Sequence, residues 1–308
     1  MALRSSSPSV SRPLNGIALC AGVGGLELGL HIAEPEFRTV CYVEREVFPA
    51  ATLVARMADK AMDNAPIWSD VKTFDGRPWR GKVHILAGGY PCQPFSAAGK
   101  QRGAADPRHL WPDFSRIIDE IRPEWCFFEN VEGHLDLGAT DVVKDLSRLG
   151  YSVKAGLFSA REVGASHLRR RLYIVAHASE VHLYQQCGHR DRAGWTEAES
   201  RCKSDWQTSG LRAGGSNVDD DMDANTGLGS FTNQPVQLPP FPPAPSRFAD
   251  WAEVLAGRPD VQPELFGLDD GMANRVERTD CAGNGVVPLA AANAWRTLKA
   301  AHLADRKT

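Results

Sequence analysis

Leu14-Asn15-Gly16-Ile17-Ala18-Leu19-Cys20-Ala21-Gly22-Val23-Gly24-Gly25-Leu26-Glu27-Leu28-Gly29 is the stretch on which the fold turns. It begins with an apolar run, Leu14 to Cys20, that has the length and composition of a buried strand. Gly22, Gly24 and Gly25 follow, and residues from Leu26 to Ala33 suit a helix. In that order, glycines let the main chain approach a ligand closely and the helix N-terminus faces its polar groups. The third glycine is misplaced for a full dinucleotide fingerprint, so the motif alone competes with an ordinary tight turn.

Working outward, the alternation repeats. Arg38 to Val43 reads as a strand, and Val47 to Met62 as a helix with Pro49 near its start. Val83 to Ala87 is a short apolar strand. Pro112 to Ile121 places Phe114, Ile117, Ile118 and Ile121 on one helical face. Trp125 to Phe128 is a buried strand, Thr140 to Leu149 a helix stopped by Gly150, and Tyr151 to Phe158 and Leu172 to Ala176 further strands. Strands alternating with helices predict an α/β fold: a doubly wound, mostly parallel sheet with helices on both faces. Ligands then bind at the carboxyl ends of the strands. After His177 the periodicity fades. Asp219 to Asp223 is acidic, and Leu238 to Pro245 is stiff and proline-rich. From Pro288 to Leu303 an alanine-rich helix, apolar at Leu289, Ala292, Trp295 and Leu298, is expected to pack back onto the first domain.

The 308 residues suffice for one large domain and a smaller one, and 43% apolar with 24% charged residues is ordinary for a globular protein. Seven scattered cysteines argue against a disulfide framework and for a reduced setting. No apolar run approaches membrane-spanning length, and residues 1–12, rich in serine, read as a disordered tail rather than a signal peptide. A net charge of −3 excludes a uniformly basic nucleic-acid binder. Two basic groups, Lys100, Arg102 and Arg108, then Arg161, Arg169, Arg170 and Arg171, would make one face basic if the fold joins them. His177, His182, Cys187, His189 and Cys202 lack regular ligand spacing, so no metal site is expected.

Gly88-Gly89-Tyr90-Pro91-Cys92-Gln93-Pro94-Phe95-Ser96 carries the chemistry. Cys92 lies between two prolines just after a strand. A thiol on a stiff turn at a strand end suits a nucleophile, against the usual fate of a free cysteine as an inert small hydrophobe. This string strongly resembles the catalytic loop of the DNA cytosine-5 methyltransferases. The resemblance continues in the family's order. Ala21 to Gly29 looks like its S-adenosylmethionine loop, Glu44 its ribose-binding acid, and Asp70-Val71 its adenine-contacting pair. Glu129-Asn130-Val131 resembles its second catalytic motif, Arg169-Arg170-Arg171 its paired arginines, and Gly283-Asn284-Gly285-Val286-Val287-Pro288 its last motif.

The resemblance implies the S-adenosylmethionine-dependent methyltransferase fold with a small irregular target-recognition region. It divides the chain into a catalytic domain over 13–177, a recognition region over 178–262, and a returning segment over 263–308. Cofactor contacts are expected from Cys20, Ala21, Gly22, Val23, Gly24, Gly25, Glu44, Asp70, Val71, Leu110, Asn284 and Val286. Pro91, Gln93, Ser96 and Asn130 are expected on the substrate side, and Cys92, Glu129, Arg169 and Arg171 in catalysis. Cys92 would add to carbon 6 of cytosine, making carbon 5 nucleophilic. Glu129, its pKa raised by burial, would serve ring nitrogen 3. Arg171 would contact the cytosine carbonyl and Arg169 support the cysteine loop. The segment from Gly99 to Asp106 would close as a lid.

The chain departs from the family pattern at Cys20, where an aromatic is usual, at Ala18, where an acid is usual, and at Ser166-His167, where Pro-Gln is usual. Double-stranded DNA is the expected partner. A cognate restriction endonuclease stays open, as do a bacterial or a phage origin. A monomer in the cytoplasm, without membrane contact, is expected. The alternatives are an RNA cytosine-5 methyltransferase of the same fold and a non-catalytic nucleic-acid-binding relative.

Overall fold

The computed structural model describes residues 13–91, 110–178, 241, 247–257 and 283–305. Chain order is β1 (Leu14–Leu19), α1 (Gly25–Ala33), β2 (Phe37–Val43), α2 (Val47–Ala58), β3 (Ile67–Trp68), β4 (Ile85–Gly88), α3 (Trp111–Ile121), β5 (Trp125–Val131), α4 (His134–Leu137), α5 (Ala139–Arg148), β6 (Tyr151–Ser159), β7 (Arg170–Ala178), α6 (Phe248–Gly257) and α7 (Pro288–Asp305). The strands form one seven-stranded sheet in the order β3-β2-β1-β4-β5-β7-β6. β1 pairs in parallel with β2 and β4, β2 with β3, and β4 with β5; β7 runs antiparallel to both β5 and β6.

The period-two alternation of the strands builds two faces. Ile17, Leu19, Leu86, Cys126 and Phe128 join Phe114, Ile117 and Ile118 of α3 and Val142 and Leu146 of α5 in one core. Ile85, Ala87, Trp125 and Phe127 turn the other way and meet Leu26 and Leu30 of α1 and Ala291, Ala294, Trp295 and Leu298 of α7. Ala18 and Tyr42 pack with Leu53 of α2 and Met62. The long return to α7 therefore closes a face that α1 alone leaves partly open. Among the described residues no helix is long and apolar enough to cross a membrane.

Several element bounds differ from expectation, for local reasons. α2 ends at Ala58 instead of reaching Met62. Lys60 adopts a left-handed φ of 58°, and the N–H groups of Lys60 and Ala61 turn back to the carbonyls of Met57 and Arg56. This is a Schellman stop built without glycine. It frees Met62 to fold under the glycine loop, where it is buried. β5 runs on to Val131 because β7 pairs with it through Glu129↔Tyr173, Asn130↔Leu172 and Val131↔Arg171. β7 begins at Arg170 and ends at Ala178 for the same reason, with β6 pairing along its other edge.

The chain winds outward from β1 through β2 to β3, then returns to add β4 and β5 on the opposite side of β1. The carboxyl ends of β1 and β4 are thus the point where the winding reverses, which opens a crevice for a ligand. The glycine loop follows one of these ends and Gly89-Tyr90-Pro91 the other.

Candidate active site

At the end of β1 the main chain turns sharply. Cys20, Gly22 and Gly24 have φ of 50°, 55° and 83°, the left-handed region that costs a non-glycine residue conformational energy. A Cβ on Gly24 would lie 2.3 Å from Met62 Cε, and one on Gly25 would lie 2.5 Å from the Val286 carbonyl oxygen, so neither position accepts a side chain without movement. The turn is pinned from β2. Glu44 is buried; its Oε2 accepts the Gly22 N–H at 2.7 Å and its Oε1 the Glu46 N–H at 2.8 Å.

Beside this turn lies a cleft of about 250 Å³. Cys20, Glu44, Asp70, Val71 and Leu110, five of the residues expected around a cofactor, line it. Pro91, expected on the substrate side, lines it as well, together with Val43, Arg45 and Glu46, which the motif reading did not single out. Ala21 to Gly25 form the adjoining turn, and Val286 abuts Gly25 from the last motif, while Asn284 is exposed beside it. Burial, then the charges of Glu44, Asp70 and Asp113, push the Cys20 thiol up to about 12. Cys20 is therefore a neutral wall rather than a nucleophile. An acid at one end, apolar walls at Val43, Val71 and Leu110, and a glycine-rich turn fit a nucleoside bearing a polar tail, as S-adenosylmethionine does.

The second cluster is on β5 and β7. Glu129 and Tyr173 are directly opposed in the ladder, so Arg171, two residues before Tyr173, reaches Glu129 diagonally on the same face. Arg171 Nε lies 3.1 Å from Glu129 Oε1. Burial dominates over both arginines and raises the Glu129 pKa from 4.5 to about 7. Arg169 has a left-handed φ of 30° and donates to the carbonyls of Gly283, at 2.8 Å, and Gly285. Among the described residues it thus holds the last motif; the cysteine loop it was expected to support lies outside them. Arg170 points the other way, 3.2 Å from Glu132. Asn130 donates from Nδ2 to the Tyr90 carbonyl at 3.0 Å and accepts the Val131 N–H at 2.8 Å. A Cβ on Gly89 would sit 3.4 Å from Glu129 Oε2, which puts that carboxyl beside the exit of β4.

Cys92, Gln93, Ser96, the Gly99 to Asp106 segment, Lys100, Arg102 and Arg108 lie outside the described residues, as do His182, Cys187, His189, Cys202 and most of the expected recognition region. His177 packs on Trp125 at a centroid distance of 4.0 Å. Two groups near the site escaped the sequence reading. Glu27 is fully buried, and among the described residues neither carboxyl oxygen has a hydrogen-bond partner. Its place in the Leu26, Glu27, Leu30 stripe was the available signal. Tyr90 and His134 are joined 44 residues apart by a buried hydrogen bond that sequence spacing does not announce.

A doubly wound sheet with one reversed strand, a glycine turn after β1 and an acid after β2 define the fold of S-adenosylmethionine-dependent methyltransferases. The family model described as C-5 cytosine-specific DNA methylase matches residues 14–207, and the chain belongs to that family. It is 37% identical over 172 residues to the Type II methyltransferase M.NgoMIV of Neisseria gonorrhoeae, covering 53% of this chain and 52% of that protein. It is 36% identical over 182 residues to the Type II methyltransferase M.PspPI of Psychrobacter sp. (strain TA137), covering 56% of this chain and 41% of that one. The chain thus spans about half the length of the curated relatives it matches.

Proposed function

We propose that the protein methylates carbon 5 of cytosine in double-stranded DNA through a covalent adduct at Cys92. The observation that carries this reading is the buried Glu129 carboxyl, 3.1 Å from Arg171 Nε and adjacent to Gly89, three residues before Cys92 in the chain. A carboxyl whose pKa burial raises to about 7, beside a cationic donor, suits the edge of a cytosine ring, where nitrogen 3 accepts a proton and the neighbouring carbonyl accepts a hydrogen bond. The target base is stacked and paired in a duplex, so it is flipped out to reach this site.

The Cys92 thiolate adds to carbon 6, and the electron pair of the 5,6 double bond becomes available at carbon 5. Glu129 donates to nitrogen 3, which absorbs the charge that would otherwise develop on the ring. Arg171 keeps that carboxyl oriented and faces the carbonyl at carbon 2. Glu44 and the Gly22 N–H turn hold the nucleoside end of the cofactor. When bound, S-adenosylmethionine supplies an electrophilic methyl group on a sulfonium centre. A base removes the carbon 5 proton to solvent; the carbon 6–sulfur bond breaks, Cys92 leaves as thiolate and the nitrogen 3 proton returns to Glu129.

The test has two parts. Base-resolved methylation sequencing of DNA from cells expressing the chain is expected to show 5-methylcytosine at one sequence context. Duplexes carrying 5-fluorocytosine in that context are expected to be trapped on the wild-type protein and not on Cys92→Ala. Methyl label confined to RNA nucleosides would overturn the DNA assignment, and trapping by Cys92→Ala would overturn the nucleophile.

A further inference from the structure

The described residues on either side of the Cys92 segment, Tyr90-Pro91 and Leu110-Trp111, meet one buried aromatic cluster. Tyr90 and Trp111 are 4% and 6% exposed, with ring centroids 5.1 Å apart. Phe114 lies 5.7 Å and Phe128 6.2 Å from the Tyr90 ring. Trp111 is tied in turn to α5 by its Nε1–H, which donates to Asp145 Oδ2 at 3.0 Å.

Packing accounts for the rings but not for the Tyr90 hydroxyl. That hydroxyl lies 2.9 Å from His134 Nε2, in a buried contact. His134 is itself seated tightly: a Cβ on Gly138 would come within 2.8 Å of its Cε1. Placing a hydroxyl and an imidazole in an aromatic core costs desolvation that their mutual hydrogen bond roughly offsets, and two apolar side chains of the same shape would serve stability as well. What the polar pair adds is direction. Packed rings slide and tilt at little cost, whereas a hydrogen bond fixes distance and angle. The main chain of the same residue is fixed from the same side, since the Tyr90 carbonyl accepts from Asn130 Nδ2 at 3.0 Å. Tyr90 is thus bound at both its backbone and its side-chain tip by residues on and just after β5, the strand that bears Glu129. Pro91, whose φ is fixed, directly follows Tyr90 and directly precedes Cys92 in the chain.

We propose that the buried Tyr90–His134 hydrogen bond is a positioning device for the nucleophile, setting the exit of β4 relative to β5 so that the Cys92 thiol and the Glu129 carboxyl meet one cytosine ring in register. This inference rests on the cytosine-methylation reading above. Tyr90 and His134 touch no substrate; they act through the chain that bears Cys92. A nucleophile displaced by even about 1 Å from its attack geometry loses up to about 100-fold in rate.

The experiment follows single-turnover adduct formation on a pool of 5-fluorocytosine duplexes with saturating S-adenosylmethionine, using the full chain, Tyr90→Phe, His134→Leu and the double variant. S-adenosylmethionine Kd and thermal midpoint are measured for each. Tyr90→Phe keeps the ring and removes only the hydroxyl. It is expected to slow adduct formation about tenfold or more while cofactor Kd and KM for duplex stay at wild-type values. The double variant is expected to be no slower than the slower single one, because both remove the same bond. His134→Gln, which restores a polar group facing the hydroxyl, is expected to recover part of the rate lost in His134→Leu. Wild-type adduct rates in Tyr90→Phe would overturn the inference, as would a loss of rate matched by equal losses of cofactor affinity and thermal stability. If the wild-type chain itself forms no adduct, the cytosine reading fails, and that outcome is seen without any variant.

Discussion

Glu27 and Glu129 are both buried carboxyls whose pKa is raised from 4.5 to about 7, and they differ in what faces them. Two arginines oppose the burial of Glu129, whereas the like charge of Glu44 adds to the effect of burial on Glu27. For each, the folded state holds the proton more tightly than the unfolded chain. The stability they contribute is therefore greatest below about pH 4.5 and is lost as pH rises through about 7. For Glu27 that loss is on the order of 3 kcal/mol. Denaturant unfolding of Glu27→Gln between pH 4 and pH 8 is expected to show a slope shallower than wild type by this amount; equal slopes would show that Glu27 is ionised in the fold. For Glu129 the expected reading is catalytic. If the protonated carboxyl serves nitrogen 3, its ionisation above about pH 7 lowers the methylation rate, by up to tenfold per pH step, against the opposing gain in Cys92 thiolate. Glu129→Gln is expected to lower the rate by about 100-fold or more and to abolish that fall, as a kcat profile against pH would show.

At the scale of elements, the contact of α1 with α7 holds the cofactor turn from behind. Gly29 faces α7 at such close range that a Cβ would come within 2.7 Å of Ala291 Cβ and 2.8 Å of the Pro288 carbonyl. Trp295 of α7 is fully buried against Phe127 at a centroid distance of 5.2 Å, and its Nε1–H donates to Glu34 Oε1 at 2.7 Å, just past the end of α1. Gly29→Ala is therefore expected to push the helices apart and cost about 1–3 kcal/mol, measured by the midpoint of chemical unfolding. A cost near zero would mean that α7 shifts freely over α1. The helix of residues 288–305 was legible from its alanine-rich apolar pattern, as were β1, α1, β2 and α3 from theirs. The ends of β5 and β7 were not. Glu129-Asn130 and Arg170-Arg171 are poor strand formers taken alone, and they are extended because each strand supplies the other's hydrogen bonds.

For the whole molecule, the net charge of −3 raised the question of where cations gather. Three of the arginines expected to form a basic face turn out to be engaged within the protein: Arg169 with the carbonyls of the last motif, Arg171 with Glu129, and Arg170 with Glu132. They shape and charge the site more than they offer a surface to phosphates. Adjacent charges in sequence read as a solvated patch, but the two-residue period of a strand sends neighbours to opposite faces. The place of Glu44 at the carboxyl edge of the sheet, by contrast, was identifiable in advance, because it sits one residue past a strand.

The sequence by itself determined the alternation of strands and helices, the family, and which short motifs gather at the carboxyl edge of the sheet. These are local matters: apolar period, glycine in a turn, proline about a cysteine. Only the tertiary structure decided that Glu129 is paired with Arg171, that Glu27 is buried with no hydrogen-bond partner among the described residues, and that Tyr90 is locked to His134. Each of these depends on residues far apart in the chain being brought within hydrogen-bonding distance in a medium of low dielectric, where burial and a single partner set protonation and direction.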